Sequence, residues 1–247
     1  LKEKVYTRDE NIYLSKLNER AERFEEMINS IKNIISTDPH LSQEERELFS
    51  SGYKNLILPK RSSWRILSQM EKKELKKTEN NLQYIKHTKE NIYKEIKKIC
   101  EEIQKIIDTI LLPNCQGDEF ESKVFYLKLK GDYYRYLSEV AANEELEQAI
   151  LNTEKSYKIA YNISERELPI FSTIRLGLCL NYSVFYYEVL GKQEEGAFIA
   201  RQGFEEAVKL IDDLDKNKVK DSIMIIQILK ENLILWTNEM QDDEIDN

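Results

Sequence analysis

The stretch that decides the fold is residues 175–188, which read RLGLCLNYSVFYYE. Within it, Leu180, Asn181, Val184 and Glu188 stand at positions i, i+1, i+4 and i+8. Residues three or four apart share one face of a helix. The stretch therefore predicts a helix that sets two aliphatic residues, an amide and a carboxylate among aromatic residues.

The composition of the rest of the chain also favours helices. The 247 residues include only 7 glycines and 4 prolines, so few chain reversals are expected. Lysine, glutamate, leucine and isoleucine are abundant, and these residues form helices or fill cores. We predict an all-α fold of about nine antiparallel helices. Residues 1–240 are expected to form one helical domain, and residues 241–247 an acidic, disordered tail.

Several boundaries of these helices can be predicted from local signals. Ser42 is followed three residues later by Glu45, which is the pattern of a capping box at the start of a helix. Pro113 interrupts the chain, and Gly191 is well placed to end a helix. The segment 71–98 is rich in lysine and glutamate, and it favours a solvated helical hairpin.

The charge of the chain excludes some classes of partner. The formal net charge is −8, so neither nucleic acid nor an anionic membrane is an expected partner. No run is long and apolar enough to span a membrane, and the first residues lack the apolar segment of a signal peptide. The three cysteines are expected to be buried free thiols in a reducing compartment. These features predict a soluble protein of the cytoplasm or the nucleus.

Two stripes of polar residues have the chemistry of a phosphate site. Lys54, Leu58, Arg61 and Arg65 follow one helical face, and a second face carries the set Lys128, Asp132, Arg135 and Tyr136. Arginine donates paired hydrogen bonds to phosphate oxygens, and a phenol can donate another. Asp132 can orient Arg135. Taken alone, such stripes are more typical of a solvated basic face, because the sequence does not show whether the two helices are in contact.

Two later stripes mix apolar residues with one amide each. The first is the stripe around Asn181 described above. The second comprises Ile228, Asn232, Leu235 and Trp236. An apolar stripe usually faces a core, but a buried asparagine is costly unless its amide is hydrogen-bonded. Two such amides also suit a surface that binds the main chain of a peptide.

Enzymatic function has little support in the sequence. His40 and His87 stand alone and are expected at the surface, and no nucleotide-binding or nucleophile motif is present. We predict no catalytic residue, no metal and no cofactor. Lys60 and Arg61 precede Ser63, which makes Ser63 a candidate phosphorylation site.

Four further stretches, together with residues 175–188, carry a resemblance to a known family. They are YKN at 53–55, RSSWR at 61–65, SKVFYLKLKGDYYRYL at 122–137 and KENLILWT at 230–237. In this order, over nearly the whole chain, they resemble the 14-3-3 family. The resemblance implies a cup-shaped, nine-helix domain whose ligand is a phosphorylated segment of a client protein.

The resemblance also assigns roles to matched residues. Phosphate-binding roles fall on Lys54, Arg61, Arg135 and Tyr136. Peptide-binding roles fall on two asparagines for the main chain, on an apolar wall and on three flanking charged residues: Asn181, Asn232, Leu180, Val184, Ile228, Leu235, Trp236, Lys128, Glu188 and Lys230. Arg23 and Glu95 match a dimer-interface pair, and Ser63 matches a regulatory serine near that interface.

The function implied is that of an adaptor, with two departures from the family pattern. Its expected partners are proteins phosphorylated on serine or threonine, and a second copy or another family member in a dimer. Leu58-Pro59 replaces the family's Gly-Ala, which predicts a bend near Asn55. Asn91 replaces a lysine that would pair with Glu26. The alternatives are a helical scaffold that binds partners without phosphate, and a phosphate-handling enzyme.

Overall fold

A computed structural model describes residues 5–75, 81–209 and 220–245 of the chain. Every regular element in these ranges is a helix, which confirms the predicted all-α class, and nine of the α-helices have at least 12 residues. They are α1 (Arg8–Arg20), α2 (Phe24–Thr37), α3 (Gln43–Glu74), α4 (Leu82–Ile106), α5 (Phe120–Ser138), α6 (Asn143–Glu167), α7 (Thr173–Val184), α8 (Gln193–Val208) and α9 (Lys220–Ile245).

Two of these helices continue without a break into wider turns. A π-helical turn, Ile107–Leu111, follows α4 and leads into the short helix Leu112–Asn114. A second π-helical turn, Phe185–Val189, follows α7. Such turns locally widen the helix and change the direction of the side chains that come after them.

The predicted capping box at the start of α3 is present. The Ser42 hydroxyl accepts a hydrogen bond from the Glu45 backbone N–H at 3.3 Å, and the Glu45 carboxylate accepts one from the Ser42 N–H at 2.8 Å. Arg8 of α1 donates two hydrogen bonds to the same carboxylate, at 2.7 and 2.8 Å. Glu45 thus ties α1 to the start of α3.

Other predicted boundaries are also observed. The helix that contains Pro113 ends at Asn114. Gly191 has φ +64°, a conformation that glycine adopts without strain, and it separates α7 and its π-helical turn from α8.

Two sequence-based expectations about helices concern Pro59 and the carboxyl end. Helix α3 is assigned without interruption through Pro59, so the proline does not break it, and a bend near Asn55 stays a prediction. Helix α9 reaches Ile245, so the first five residues of the predicted disordered tail are helical. No glycine or proline follows Met240 to end the helix there. Parts of the predicted 71–98 hairpin and of the segment between α8 and α9 lie outside the described residues.

The described residues form two compact units. The first contains those up to Gln116 together with Tyr133–Leu151, and the second contains Gly117–Asp132 and those from Asn152 onward. Two of the divisions fall within α5 and α6, and the third falls in the loop between Asn114 and Phe120. The single domain predicted for residues 1–240 stays a prediction.

The core of the first unit is built from the apolar faces of α2, α3, α4 and α5. Each large apolar side chain that is buried, and not left exposed, stabilises the folded state by about 1.5–3 kcal/mol. Side chains that are at most 1% exposed include Met27, Ile31, Ile34, Phe49, Tyr53, Ile57, Ile96, Ile103 and Tyr133.

The core of the second unit depends on small residues in α8. Gly196 lies so close to α7 that a Cβ there would be 2.8 Å from the carbonyl oxygen of Ser183. Ala200 and Ala207 are fully buried and pack with Leu176 and Leu229. This close approach fixes α7 and α9, the two helices that carry most of the predicted peptide-binding residues.

The sequence predicted no membrane span, and the described helices bear on this point. None of them combines the length and the apolar character that a membrane span requires.

Candidate functional site

Arg61 is the most constrained of the predicted phosphate-binding residues. It is only 7% exposed, on α3. Its Nε donates to Glu139 Oε2 at 3.0 Å and its Nη2 donates to Glu139 Oε1 at 2.5 Å. These two bonds form a bidentate, charge-assisted pair that fixes the plane of the guanidinium.

Tyr136 brings the guanidinium groups of Arg61 and Arg135 together. The Arg61 Cζ lies 3.8 Å from the centroid of the Tyr136 ring, and the Arg135 Cζ lies 5.1 Å from the same centroid. Both distances are within the range of cation–π interactions. Three of the four predicted phosphate-binding residues therefore form one cluster in the first unit. Lys54, the fourth, is exposed and lies seven residues before Arg61 on α3.

Glu139 also accepts hydrogen bonds from Arg65. The Arg65 Nη2 lies 3.3 and 3.2 Å from the two carboxylate oxygens, but the Arg65 side chain is 62% exposed. Two guanidinium groups thus share one carboxylate. The group formed by Arg61, Arg65 and Glu139 keeps one positive charge, which is the sign that an anionic ligand requires.

Sequence reasoning missed Glu139. Its contacts with Arg61 and Arg65 span 78 and 74 residues, so no local pattern relates them. One signal was available, since Glu139 stands four residues after Arg135 and continues the polar stripe of α5.

In the second unit, Asp132 is a shared acceptor for predicted peptide-binding residues. It is 5% exposed. It accepts a hydrogen bond from Lys128 Nζ at 2.8 Å, one from Asn181 Nδ2 at 2.7 Å, and one from the Tyr157 hydroxyl. These partners fix the amide of Asn181 and the amine of Lys128. The predicted role of Asp132 towards Arg135 stays a prediction.

Gly131 allows Tyr157 to reach Asp132. A Cβ at position 131 would lie 2.5 Å from two carbon atoms of the Tyr157 ring, which is closer than such atoms can approach. Tyr157 is itself fully buried. Only glycine leaves room for this ring beside α5.

The predicted apolar wall includes both exposed and buried side chains. Ile228 and Leu235 of α9 are 42% and 54% exposed. Leu180 and Val184 are half-buried and pack against the core of the second unit. Exposed aliphatic side chains are available to a ligand, so Ile228 and Leu235 are the members of the wall best suited to direct contact.

Trp236 differs from the rest of the wall. It is 2% exposed, and its ring stacks on Tyr187 with centroids 4.3 Å apart and an interplanar angle of 10°. Sequence spacing placed it on the same stripe as Leu235, but packing has taken it into the core. Its predicted contact with a peptide stays a prediction.

The remaining predicted peptide-binding residues are more accessible. Asn232 is half-buried, and Lys230 and Glu188 are exposed. Glu188 lies within the π-helical turn Phe185–Val189. The 3.6-residue period that related it to Val184 therefore does not hold at that point of the chain.

The residues predicted for a dimer interface already have partners within the chain. Arg23 Nε donates to Glu26 at 3.0 Å, and the pKa of the Glu26 carboxyl is lowered by that hydrogen bond. Lys60 Nζ lies 2.5 Å from Glu95. Ser63, the predicted regulatory residue, is exposed on α3.

The buried thiols are poor candidates for nucleophilic catalysis. Burial raises the pKa of the Cys179 thiol to about 12 and raises that of the Cys100 thiol as well, so both are protonated at neutral pH. His40 and His87 are exposed, as expected. Among the described residues, no three histidine, cysteine or acidic side chains are arranged to hold a metal ion.

Comparison with known proteins gives one consistent result. A family model described as "14-3-3 protein" matches residues 14–237. The chain is 41% identical to 14-3-3 protein eta of Homo sapiens over 238 residues, which are 96% of this chain and 97% of the human protein. The identity and coverage are the same for 14-3-3 protein eta of Bos taurus.

Proposed function

The chain belongs to the 14-3-3 family, and we propose that it is an adaptor that binds segments of client proteins phosphorylated on serine or threonine. The observation that carries this proposal is the pair of guanidinium groups, from Arg61 and Arg135, on the ring of Tyr136. We propose that these residues, with Lys54, bind the phosphate. A phosphoryl group has a charge of about −1.5 to −2 and three acceptor oxygens, which suits several cationic donors.

The geometry of Arg61 supports this role. A guanidinium has five N–H donors, and Glu139 accepts from Nε and from Nη2. The edge of the guanidinium that carries Nη1 and Nη2 still has N–H donors for a ligand. Glu139 and Tyr136 already fix the guanidinium of Arg61. Binding of phosphate would therefore cost little further side-chain entropy at Arg61.

The arrangement around Asp132 supports main-chain recognition. Asn181 donates one amide hydrogen to Asp132, and this bond does not use its carbonyl oxygen or its second amide hydrogen. An amide held in this way can pair with peptide N–H and C=O groups of any sequence. We propose this role for Asn181 and Asn232, with Ile228 and Leu235 as apolar contacts.

We also propose that the adaptor is a dimer in the cytoplasm. Arg23 and Glu95 would then exchange their partners within the chain, Glu26 and Lys60, for each other across the interface. Such exposed pairs contribute little each, so apolar contacts must supply most of the dimer's stability. Sedimentation of a monomer at micromolar concentration would contradict a dimer.

Two peptides of one sequence, with and without phosphoserine, test the function. We expect the phosphorylated peptide to bind at least about 100-fold more tightly, since each hydrogen bond to a charged group contributes about 1.5–3 kcal/mol. Arg61→Ala should remove most of this difference. Arg65→Ala is the matched control on the same helix, and it should remove much less because Arg65 is exposed.

Fluorescence polarisation measures both affinities. Equal affinity for the two peptides would contradict the proposed function and favour a scaffold that does not depend on phosphate.

A further inference from the structure

Leu58 stands between two predicted phosphate-binding residues on α3. It lies four residues after Lys54 and three before Arg61, which puts the three side chains on one face of the helix. With a rise of about 1.5 Å per residue, Leu58 is about 6 Å along the helix axis from Lys54 and about 4.5 Å from Arg61.

The side chain of Leu58 is accessible on this face. It is 39% exposed, although the neighbouring Ile57 is completely buried in the core. Long side chains of a helix lean towards its amino terminus, so the Leu58 side chain covers surface in the direction of Lys54. An aliphatic group therefore occupies space among the cations without being able to bond a phosphate.

We propose that Leu58 determines peptide specificity by excluding bulky side chains directly beside the phosphorylated residue. This inference rests on the proposed function. A phosphate that contacts both Lys54 and Arg61 lies next to Leu58, which stands between them. The peptide residue beside the phosphorylated one must then pass close to the methyl groups of Leu58. A steric conflict of this kind weakens unsuitable peptides without strengthening suitable ones.

Pro59 provides a matched control. It follows Leu58 directly and is also exposed, and α3 continues through it. If specificity arose from the backbone at Pro59 and not from the Leu58 side chain, Pro59→Ala would alter it and Leu58→Ala would not.

The test measures selectivity in a set of phosphoserine peptides. One peptide has alanine on both sides of the phosphoserine, and two others carry tryptophan immediately before or immediately after it. We expect the wild-type protein to bind the alanine peptide about tenfold more tightly than at least one tryptophan peptide. Leu58→Ala should reduce that ratio to about twofold or less, whereas Leu58→Met and Pro59→Ala should retain it.

Three results would overturn the inference. One is a wild-type ratio below about twofold at both positions, and another is an unchanged ratio in Leu58→Ala. The third is loss of the ratio in Pro59→Ala alone. In all three cases phosphorylated peptides still bind more tightly than their unphosphorylated counterparts, so the proposed function stands. Absence of that preference overturns the proposed function and this inference together.

Discussion

Glu139 and Asp132 both accept hydrogen bonds from side chains predicted to bind a ligand, but they differ in exposure and in the side chains that they hold. Glu139 is 23% exposed and is shared by two guanidinium groups, so its cluster retains a positive charge. Asp132 is buried, and its partners within the second unit include one amine, one amide and one phenol. The Lys128–Asp132 pair therefore has no net charge.

The difference separates two kinds of recognition. A residual positive charge favours an anion and depends on salt, because exposed charges are screened within about 10 Å at 0.1 M ionic strength. The Lys128–Asp132 ion pair is buried on the Asp132 side, where the carboxylate holds the Asn181 amide in place and contributes mainly through geometry. Removal of Asp132 should therefore affect stability most, and removal of Glu139 should affect phosphate binding most.

Asp132→Ala should have the larger effect on stability. It leaves the Asn181 amide, the Tyr157 hydroxyl and the Lys128 amine without a shared buried acceptor, and we expect the free energy of unfolding to fall by about 3 kcal/mol. Urea denaturation followed by circular dichroism measures this. Asp132→Asn keeps one acceptor oxygen and should be milder. A loss no greater than that of Glu139→Ala would remove the distinction between the two carboxylates.

Glu139→Gln should weaken phosphopeptide binding by about tenfold, with little change in stability. The glutamine keeps the size of the side chain but loses the charge that fixes the Arg61 guanidinium, and about 1.4 kcal/mol corresponds to tenfold in affinity. Titration of the phosphorylated peptide measures this. Glu144→Gln is the control, since Glu144 is an exposed glutamate of α6. Equal effects of both substitutions would show that only the overall charge matters.

Arg8→Ala tests a third carboxylate, Glu45, that has no predicted ligand role. Burial alone would raise the pKa of the Glu45 carboxyl, but hydrogen bonds from Arg8 and Ser42 outweigh it and lower the pKa. The ionised pair therefore stabilises the fold above the unfolded pKa of about 4.3, and this contribution is lost as the pH falls through the lower folded pKa. We expect Arg8→Ala to cost about 1 kcal/mol at pH 7 and progressively less below pH of about 4.

The control for Arg8 is Lys16→Ala, because Lys16 pairs with Glu44 at the surface nearby. That substitution should change stability little at any pH. Phosphopeptide affinity should be unaffected by either substitution. A destabilisation by Arg8→Ala that stayed constant down to pH of about 3 would mean that Glu45 does not carry the effect.

The contrast between these carboxylates also shows what local sequence can predict. The Lys128–Asp132 pair is separated by four residues on one helix, and the polar stripe that contains it was visible in the sequence. The capping box at Ser42 and the turn at Gly191 were predictable for the same reason. Each depends on residues within one helical turn or on one backbone conformation.

The remaining features depend on contacts between distant segments. Glu139 was missed because it meets Arg61 through tertiary packing. Periodicity put Trp236 on one stripe with Leu235, but it did not show that the Trp236 ring stacks on Tyr187. Glu188 lies beyond the start of a π-helical turn, which no simple pattern predicted. The family resemblance named the candidate residues, but it did not show how each side chain is held.

The space left by Gly131 restricts how this protein can change during evolution. Alanine at position 131 would collide with the Tyr157 ring, and a smaller residue at position 157 would take the phenol away from Asp132. A substitution at either position alone would disturb the Asp132 carboxylate, which holds Asn181. We therefore expect positions 131 and 157 to be inherited together, and a lineage that enlarges residue 131 to lose the tyrosine at 157 as well.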